Sequence, residues 1–335
     1  MSCSSALSRN IMRAIRVAQF GGPEVMKVES SVPVPTPAKS QVLINVKAAG
    51  INPVDTYIRA GTYALKPELP YTPGHDIAGV VEEVGSDVKS IKKGDRVFTI
   101  RTASGGYAEY CTAEADTTRH LRNRLSFEEG AGVGVPYYTA YRAVQIIGKA
   151  RPGETMLVHG ASGSVGLACI QYGCHLGLRV LGTAGSQTGV DLVKENGADA
   201  VFNHREENYV QEIMDSTDGN GPDIIIEMLA NVNLEKDMTM VAKRGRIMVV
   251  GNRGSIEVTP RHLMAKESTV AGVMLFGSTQ EEMKEMSGAI DAGLGPGGWV
   301  KPHIGREYSL DNAPQAHGDI INNTGATGRL IIKPS

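Results

Sequence analysis

The sequence predicts an α/β protein made of a compact, barrel-like β domain and a doubly wound parallel sheet. Three observations carry this. A strand–turn–helix segment, TMLVHGASGSVG (155–166), has glycines at 160, 163 and 166. From Glu154 onward short apolar strands alternate with helical stretches, the pattern of a parallel sheet. The first third instead holds strands separated by turn residues.

In that first third, strands are expected at 13–20, 25–30, 41–49, 77–84, 96–98 and 108–112. The turns between them carry Gly21, Gly22 and Pro23, then Pro33, Pro35 and Pro37, then Gly85 and Gly94. Phe127 opens a short helix, and Pro136 starts an amphipathic helix over 137–149 that ends near Gly148. Further strands are expected near 155–159, 179–183, 200–202, 223–228, 246–251 and 270–275. Helices fall at 165–176, 187–196, 206–215 and 232–243. A helix over 279–292 and a terminal strand over 327–333 follow. That strand is expected to rejoin the first domain.

The glycine triplet is a variant of the dinucleotide fingerprint. Small residues let the backbone approach a pyrophosphate, and N–H groups at the helix start face its charge. Ser162 and Ser164 offer hydroxyls to the ligand or cap the helix. In NAD-specific sheets a carboxylate ends the second strand and accepts the ribose hydroxyls. Here that position is Ala184 or Gly185, and no acid follows before Asp191. The small uncharged end leaves room for a 2′-phosphate, with His204 and Arg205 as candidate cationic partners. NADPH is therefore the expected cofactor.

At 335 residues the chain can bury two full cores. A net charge of −2 gives no reason to expect a nucleic acid or an anionic membrane as partner. There is no apolar run long enough to cross a bilayer. The four cysteines form no C-x-x-C pair, and free thiols in a reducing compartment are the simplest reading. Residues 1–16 carry Arg9, Arg13 and Arg16 without an acid. We read them as a short polar tail leading into the first strand of a cytoplasmic protein, a mitochondrial transit peptide being the alternative.

Several segments then occur in order: GINPVDTY (50–57), YTPGHDIAG (71–79), KGDRV (93–97), GGYAEY (105–110), PYYTAY (136–141), EMLANVNL (227–234) and GATGRLI (325–331). Together with the glycine turn, they make nearly the whole chain resemble the zeta-crystallin type of quinone oxidoreductase, in the medium-chain dehydrogenase/reductase superfamily. The resemblance implies a GroES-like β-barrel catalytic domain over 1–135 and 276–335, and a Rossmann NADP(H)-binding domain over 136–275, with a cleft between them. It implies NADPH-dependent reduction of small quinones, ortho-quinones favoured. It places the cofactor contacts on Tyr57, Ser162, Gly163, Ser164, Val165, Gly185, His204, Asn233, Val250, Gly251, Asn252, Arg253, Val273, Met274 and Leu275. Ser164 departs from the family, which has a further glycine there.

Zinc-dependent relatives in the superfamily use a cysteine, a histidine beside an acid, and a later ligand. This chain keeps His75 and Asp76, has Asn52 at the first position, and has no cysteine near 132–135. No metal is expected, since a catalytic zinc takes three protein ligands, and His75 is expected to pack as a polar wall residue. Tyr57 and Asn52, in a loop facing the nicotinamide, are the candidate catalytic residues. Tyr57 would donate through its hydroxyl, and Asn52 would orient the quinone through its amide. Tyr63, Tyr137 and Tyr138 are possible wall residues, core positions being the simpler reading. The resemblance further implies a homotetramer or dimer, with the strand at 269–276 pairing across an interface. Two alternatives stay open: an enone or alkenal reductase of the same superfamily, and an AU-rich RNA-binding protein of the zeta-crystallin type. For the second, the sequence shows no basic stripe or RNA-binding motif.

Overall fold

The computed structural model describes residues 11–322 and 327–335. The Arg9 end of the proposed tail and the start of the GATGRLI segment lie outside the described residues. The chain divides into two compact units, Met1–Gly134 with Ile304–Ser335, and Val135–His303.

The first unit opens with β1 (Ile11–Val17) and β2 (Met26–Pro33), an antiparallel pair. Then come β3 (Gln41–Gly50), α1 (Pro53–Ala60), β4 (Asp76–Val84), β5 (Arg96–Thr99), β6 (Tyr110–Glu114), β7 (Thr118–His120) and α2 (Phe127–Gly130). The segment around Asn52 and Tyr57, expected to be a loop, is thus a helix. Pro53 presets its first turn, and Gly61, at φ 73°, ends it in the left-handed conformation. β3 is the central strand. It pairs antiparallel with β4 and β6, in register Val42 to Val84 and Ile44 to Val81. Its buried side chains Val42, Ile44 and Val46 join Ile15, Ile77, Val97 and Tyr107 in one core. Each fully buried aliphatic side chain there contributes about 1.5–3 kcal/mol.

The second unit is entered through α3 (Gly134–Tyr141), which continues as a π-helical stretch over Arg142–Ile147. The expected single helix over 137–149 is therefore two segments of different winding. β8 (Thr155–Val158), α4 (Ser164–Leu176), β9 (Arg179–Ala184), α5 (Gln187–Glu195), β10 (Ala200–Asn203), α6 (Tyr209–Ser216), β11 (Ile224–Glu227), α7 (Ala230–Met240), β12 (Arg246–Val249), α8 (Arg261–Lys266), β13 (Thr269–Gly272) and α9 (Gln280–Gly293) follow. The six strands are parallel, in the order β10-β9-β8-β11-β12-β13. This is the doubly wound order, with the crossing point between β8 and β11. Ile224, Ile225 and Ile226 are fully buried, as a strand covered on both faces requires.

One boundary differs from the expectation. Residues 276–303 belong to the second unit, not the first. Side chains of α9 hold them there: Ser287 bonds Tyr138 at 3.1 Å, Glu285 accepts from Tyr141 at 3.1 Å, and Glu282 pairs with Arg142 at 2.6 Å. The chain then re-enters the first unit as β14 (Ile304–Ser309), α10 (Ala313–Asn322) and β15 (Arg329–Lys333), with β15 pairing antiparallel to β3. No helix among the described residues is long and apolar enough to cross a membrane.

Candidate functional site

In the second unit, the expected ligand residues gather on loops at the carboxyl end of the parallel sheet. β8 is buried over Met156–Val158 and runs into the glycine turn. Gly160 sits at φ 56°, a conformation in which a side chain is strained. A Cβ on Gly166 would lie 2.6 Å from the Gly160 carbonyl oxygen and 2.6 Å from Ala161 Cα, so helix and turn touch backbone to backbone. Gly163, not a serine, is the cap of α4, and it makes no side-chain cap. The helix start thereby presents uncapped N–H character to an anion. Ser162, Gly163, Ser164 and Val165 are half-buried around this turn.

β9 ends at Ala184, and the adjoining Gly185 carries no charge. A Cβ built on Gly185 would point at His204 Nε2, 2.7 Å away, and at Arg205 Nε, 3.1 Å away. The loop after β10 therefore folds the His204 imidazole and the Arg205 guanidinium over the end of β9. His204 titrates below its ordinary value, because of burial and then the neighbouring His159 and Arg205. A dianionic group would relieve that repulsion.

Further round, Ala230 N–H donates to the Gly251 carbonyl at 3.0 Å, and Arg253 N–H donates to Asn231 Oδ1 at 2.9 Å. A Cβ on Gly251 would come within 2.1 Å of the Met228 carbonyl, so only glycine permits this approach. Asn233 donates to Glu227 Oε1 at 3.3 Å from the first turns of α7. Val250, Gly251, Asn252 and Arg253 follow β12, and Val273, Met274 and Leu275 follow β13. Of these, Met274 is exposed and Leu275 is buried. Beneath the same loops, His159, Glu227 and Asp237 form a buried cluster that sequence reasoning missed. An acid closing the apolar run Ile224–Glu227 was its one visible signal.

In the first unit, α1 places Asn52, Asp55 and Tyr57. Asn52 is 2% exposed, and both ends of its amide are bonded. Nδ2 donates to Asp76 Oδ2 at 3.0 Å, and Oδ1 accepts from Arg329 Nη1 at 2.8 Å. The amide ties Asp76 to Arg329, which also pair directly. Asp55 caps the Asn52 N–H at 2.9 Å and bonds His75 Nδ1 at 2.5 Å. Burial pushes Asp55 up, but His75 and His317 outweigh it and hold the carboxyl below its ordinary value. Burial likewise opposes charge on His75, yet Asp55 raises it above the usual imidazole value. His75 is therefore one half of an ion pair with Asp55. From Asp55 the bonds run on through Tyr107 and His317 to Arg59, at 3.4, 3.1 and 3.0 Å.

Tyr57 and Tyr63 are half-buried in the first unit. Tyr137 and Tyr138 are core residues of the second, where Tyr137 donates to Gln171 at 2.7 Å.

Residues 38–147 match the family described as alcohol dehydrogenase GroES-like domain, and residues 164–292 match the family described as zinc-binding dehydrogenase. The chain is 54% identical to the quinone oxidoreductase of Rattus norvegicus, over 98% of this chain and 99% of the relative. It is 53% identical to the quinone oxidoreductase of Homo sapiens, over the same shares of both chains, 98% and 99%. Among solved structures, Escherichia coli quinone oxidoreductase complexed with NADPH superposes with a TM-score of 0.87. That chain is 31% identical, and the match covers 96% of this chain and 100% of the other.

Proposed function

This chain belongs to the quinone oxidoreductase family of medium-chain dehydrogenases/reductases and is an oxidoreductase; on that premise we propose that it reduces small quinones with NADPH, ortho-quinones foremost, without zinc. The observation that carries the cofactor half is the uncharged Gly185 facing His204 and Arg205. The Arg205 guanidinium and the His204 imidazole fit a 2′-phosphate, and the end of β9, Ala184 and Gly185, carries no acid to repel it. The uncapped start of α4 and its glycine turn fit the pyrophosphate. The Escherichia coli relative solved with NADPH supports the same assignment.

When bound, NADPH supplies the hydride. The protein's own part in the chemistry is small, because a quinone gains aromaticity on reduction. Tyr57 donates a hydrogen bond to the quinone oxygen as it gains charge. Adjacent carbonyl dipoles repel each other in an ortho-quinone, and reduction relieves this. The donors at Asn52, His75 and Asp76 do not suit a zinc ion. The amide is bonded at both ends and the Arg329 guanidinium already neutralises Asp76, which leaves His75 alone where a catalytic zinc takes three protein ligands. β13 lies at the edge of its sheet, which supports a dimer built by pairing β13 with its copy. Light scattering tests that assembly.

The decisive experiment is steady-state kinetics with NADPH and NADH against 9,10-phenanthrenequinone, 1,2-naphthoquinone, a para-quinone and medium-chain enals. NADPH turnover is expected with the ortho-quinones first. Faster turnover of the enals than of every quinone would overturn the substrate class.

A further inference from the structure

His159 directly follows β8, Glu227 ends β11, and Asp237 lies in α7. Their side chains are 3%, 0% and 0% exposed, and one ligand-capable atom from each lies within 4.8 Å of the others. Their hydrogen bonds have a direction. At Nε2 the imidazole N–H donates to Asp237 Oδ1 at 2.9 Å. A neutral ring then accepts at Nδ1 from the Thr183 hydroxyl at 3.2 Å, and Thr183 Oγ1 accepts from Gly160 N–H at 3.3 Å. On the far side, Glu227 Oε1 accepts from Leu229 N–H and from Asn233 Nδ2. Two buried oxygens remain without a partner, Glu227 Oε2 and Asp237 Oδ2.

Two buried carboxylates side by side repel each other unless something positive lies between them. The neighbouring groups do not provide it. Burial lowers the His159 value and keeps the ring neutral. Lys236 on α7 turns to Tyr209, 3.5 Å from its hydroxyl, and His204 and Arg205 on the loop after β10 face Gly185.

We propose that Glu227 is a positioning residue for the cofactor: it holds a proton shared with Asp237 through Oε2 and Oδ2. The protonated pair fixes Asn233 on one side. On the other it fixes the Gly160 amide, through His159 and Thr183. The inference rests on the reading that Asn233 and the glycine turn hold NADPH. Burial raises both carboxyls to about 7, with the acid neighbour adding to the rise at Glu227. Above that pH the cluster gains a second buried negative charge beneath a polyanionic ligand, and binding weakens. NADPH binding near neutrality therefore takes up a proton.

The test uses the whole protein and two variants, Glu227→Gln and Asp237→Asn, with melting temperatures to establish folding. Gln at 227 copies the protonated acid: it donates to Asp237 and still accepts from Leu229 and Asn233. NADPH fluorescence titrations are run from pH 6 to 8.5, and infrared spectra of the ligand-free protein over the same range. The wild-type dissociation constant is expected to rise about tenfold across this range, and that of E227Q by less than about twofold. A protonated-carboxyl band is expected at pH 6, fading by pH 8.5 and missing from E227Q. For D237N, whose amide accepts from His159 and donates to Glu227, the band is expected to be lost and the pH dependence flattened to less than about twofold, as for E227Q.

An E227Q slope equal to the wild type would overturn the proposal. So would no such band at pH 6, or a stoichiometric metal ion that chelation removes together with NADPH binding. If the wild type bound no NADPH at all, the functional reading would fall. The band alone would then decide whether the proton is there.

Discussion

The imidazole of His75 and the carboxyl of Asp55 lie 2.5 Å apart, joining the segment before β4 to the first turn of α1. His75 is raised and Asp55 lowered, so each is charged over the range between their ordinary values. The His75 contribution is complete below about pH 6.5 and is lost as pH rises through its raised folded value. The Asp55 contribution is present above about pH 4 and is lost as pH falls through its lowered one. His75→Gln is expected to cost on the order of 2 kcal/mol at pH 6, and less at pH 9, by urea unfolding. An equal loss at both values would remove the charge from this account.

Arg329 is 3% exposed and Asp76 is fully buried. Arg329→Met strands the Asp76 charge and the Asn52 amide together. The expected loss is about 3–5 kcal/mol by chemical denaturation, with Arg329→Lys between it and the wild type.

Gly185→Asp would set a carboxylate against His204 and Arg205. NADPH binding is expected to weaken at least about tenfold, with NADH unchanged or tighter, by fluorescence titration. Arg205→Ala is expected to weaken NADPH alone. Parallel losses for both cofactors would argue against a 2′-phosphate pocket.

Gly166→Ala puts its methyl group into the backbone of Gly160 and Ala161. The neighbours are main-chain atoms and cannot rotate aside. Both melting temperature and NADPH affinity should fall, the first by the equivalent of about 1–3 kcal/mol.

Tyr57→Phe keeps the ring and removes the hydroxyl. Turnover with a quinone is expected to fall about three- to tenfold, with NADPH affinity nearly kept. An unaltered rate would leave Tyr57 a binding role only.

The parallel sheet was legible because its strands are unbroken apolar runs, such as Ile224–Ile226, and its turns carry glycines with steric reasons. The helix at Pro53–Ala60 was missed, although Asn52, Pro53 and Gly61 carry its start and stop signals, because only the motif around Tyr57 was weighed. The handover at 276–303 was not legible, because α9 is assigned by Tyr138, Tyr141 and Arg142, distant in sequence. The same holds for Arg329 meeting Asn52 and for Asp237 meeting His159. Those pairings follow from strand order and leave no local period or spacing. The two bonds of the Asn52 amide were hidden for the same reason: an exposed amide and a bonded one look the same in one dimension.

The partnership of β15 with β3 also fixes an order of events during synthesis. Arg329 stands 277 positions beyond the Asn52 it binds. While a ribosome is still translating the second unit, Asp76 and Asn52 have already emerged without their cation, and that edge of β3 has no neighbour. The parallel sheet, contiguous in the chain, has every strand it needs before β14 is made. The unit that begins first is therefore the one completed last. Until then its polar centre lies open to chaperones and proteases.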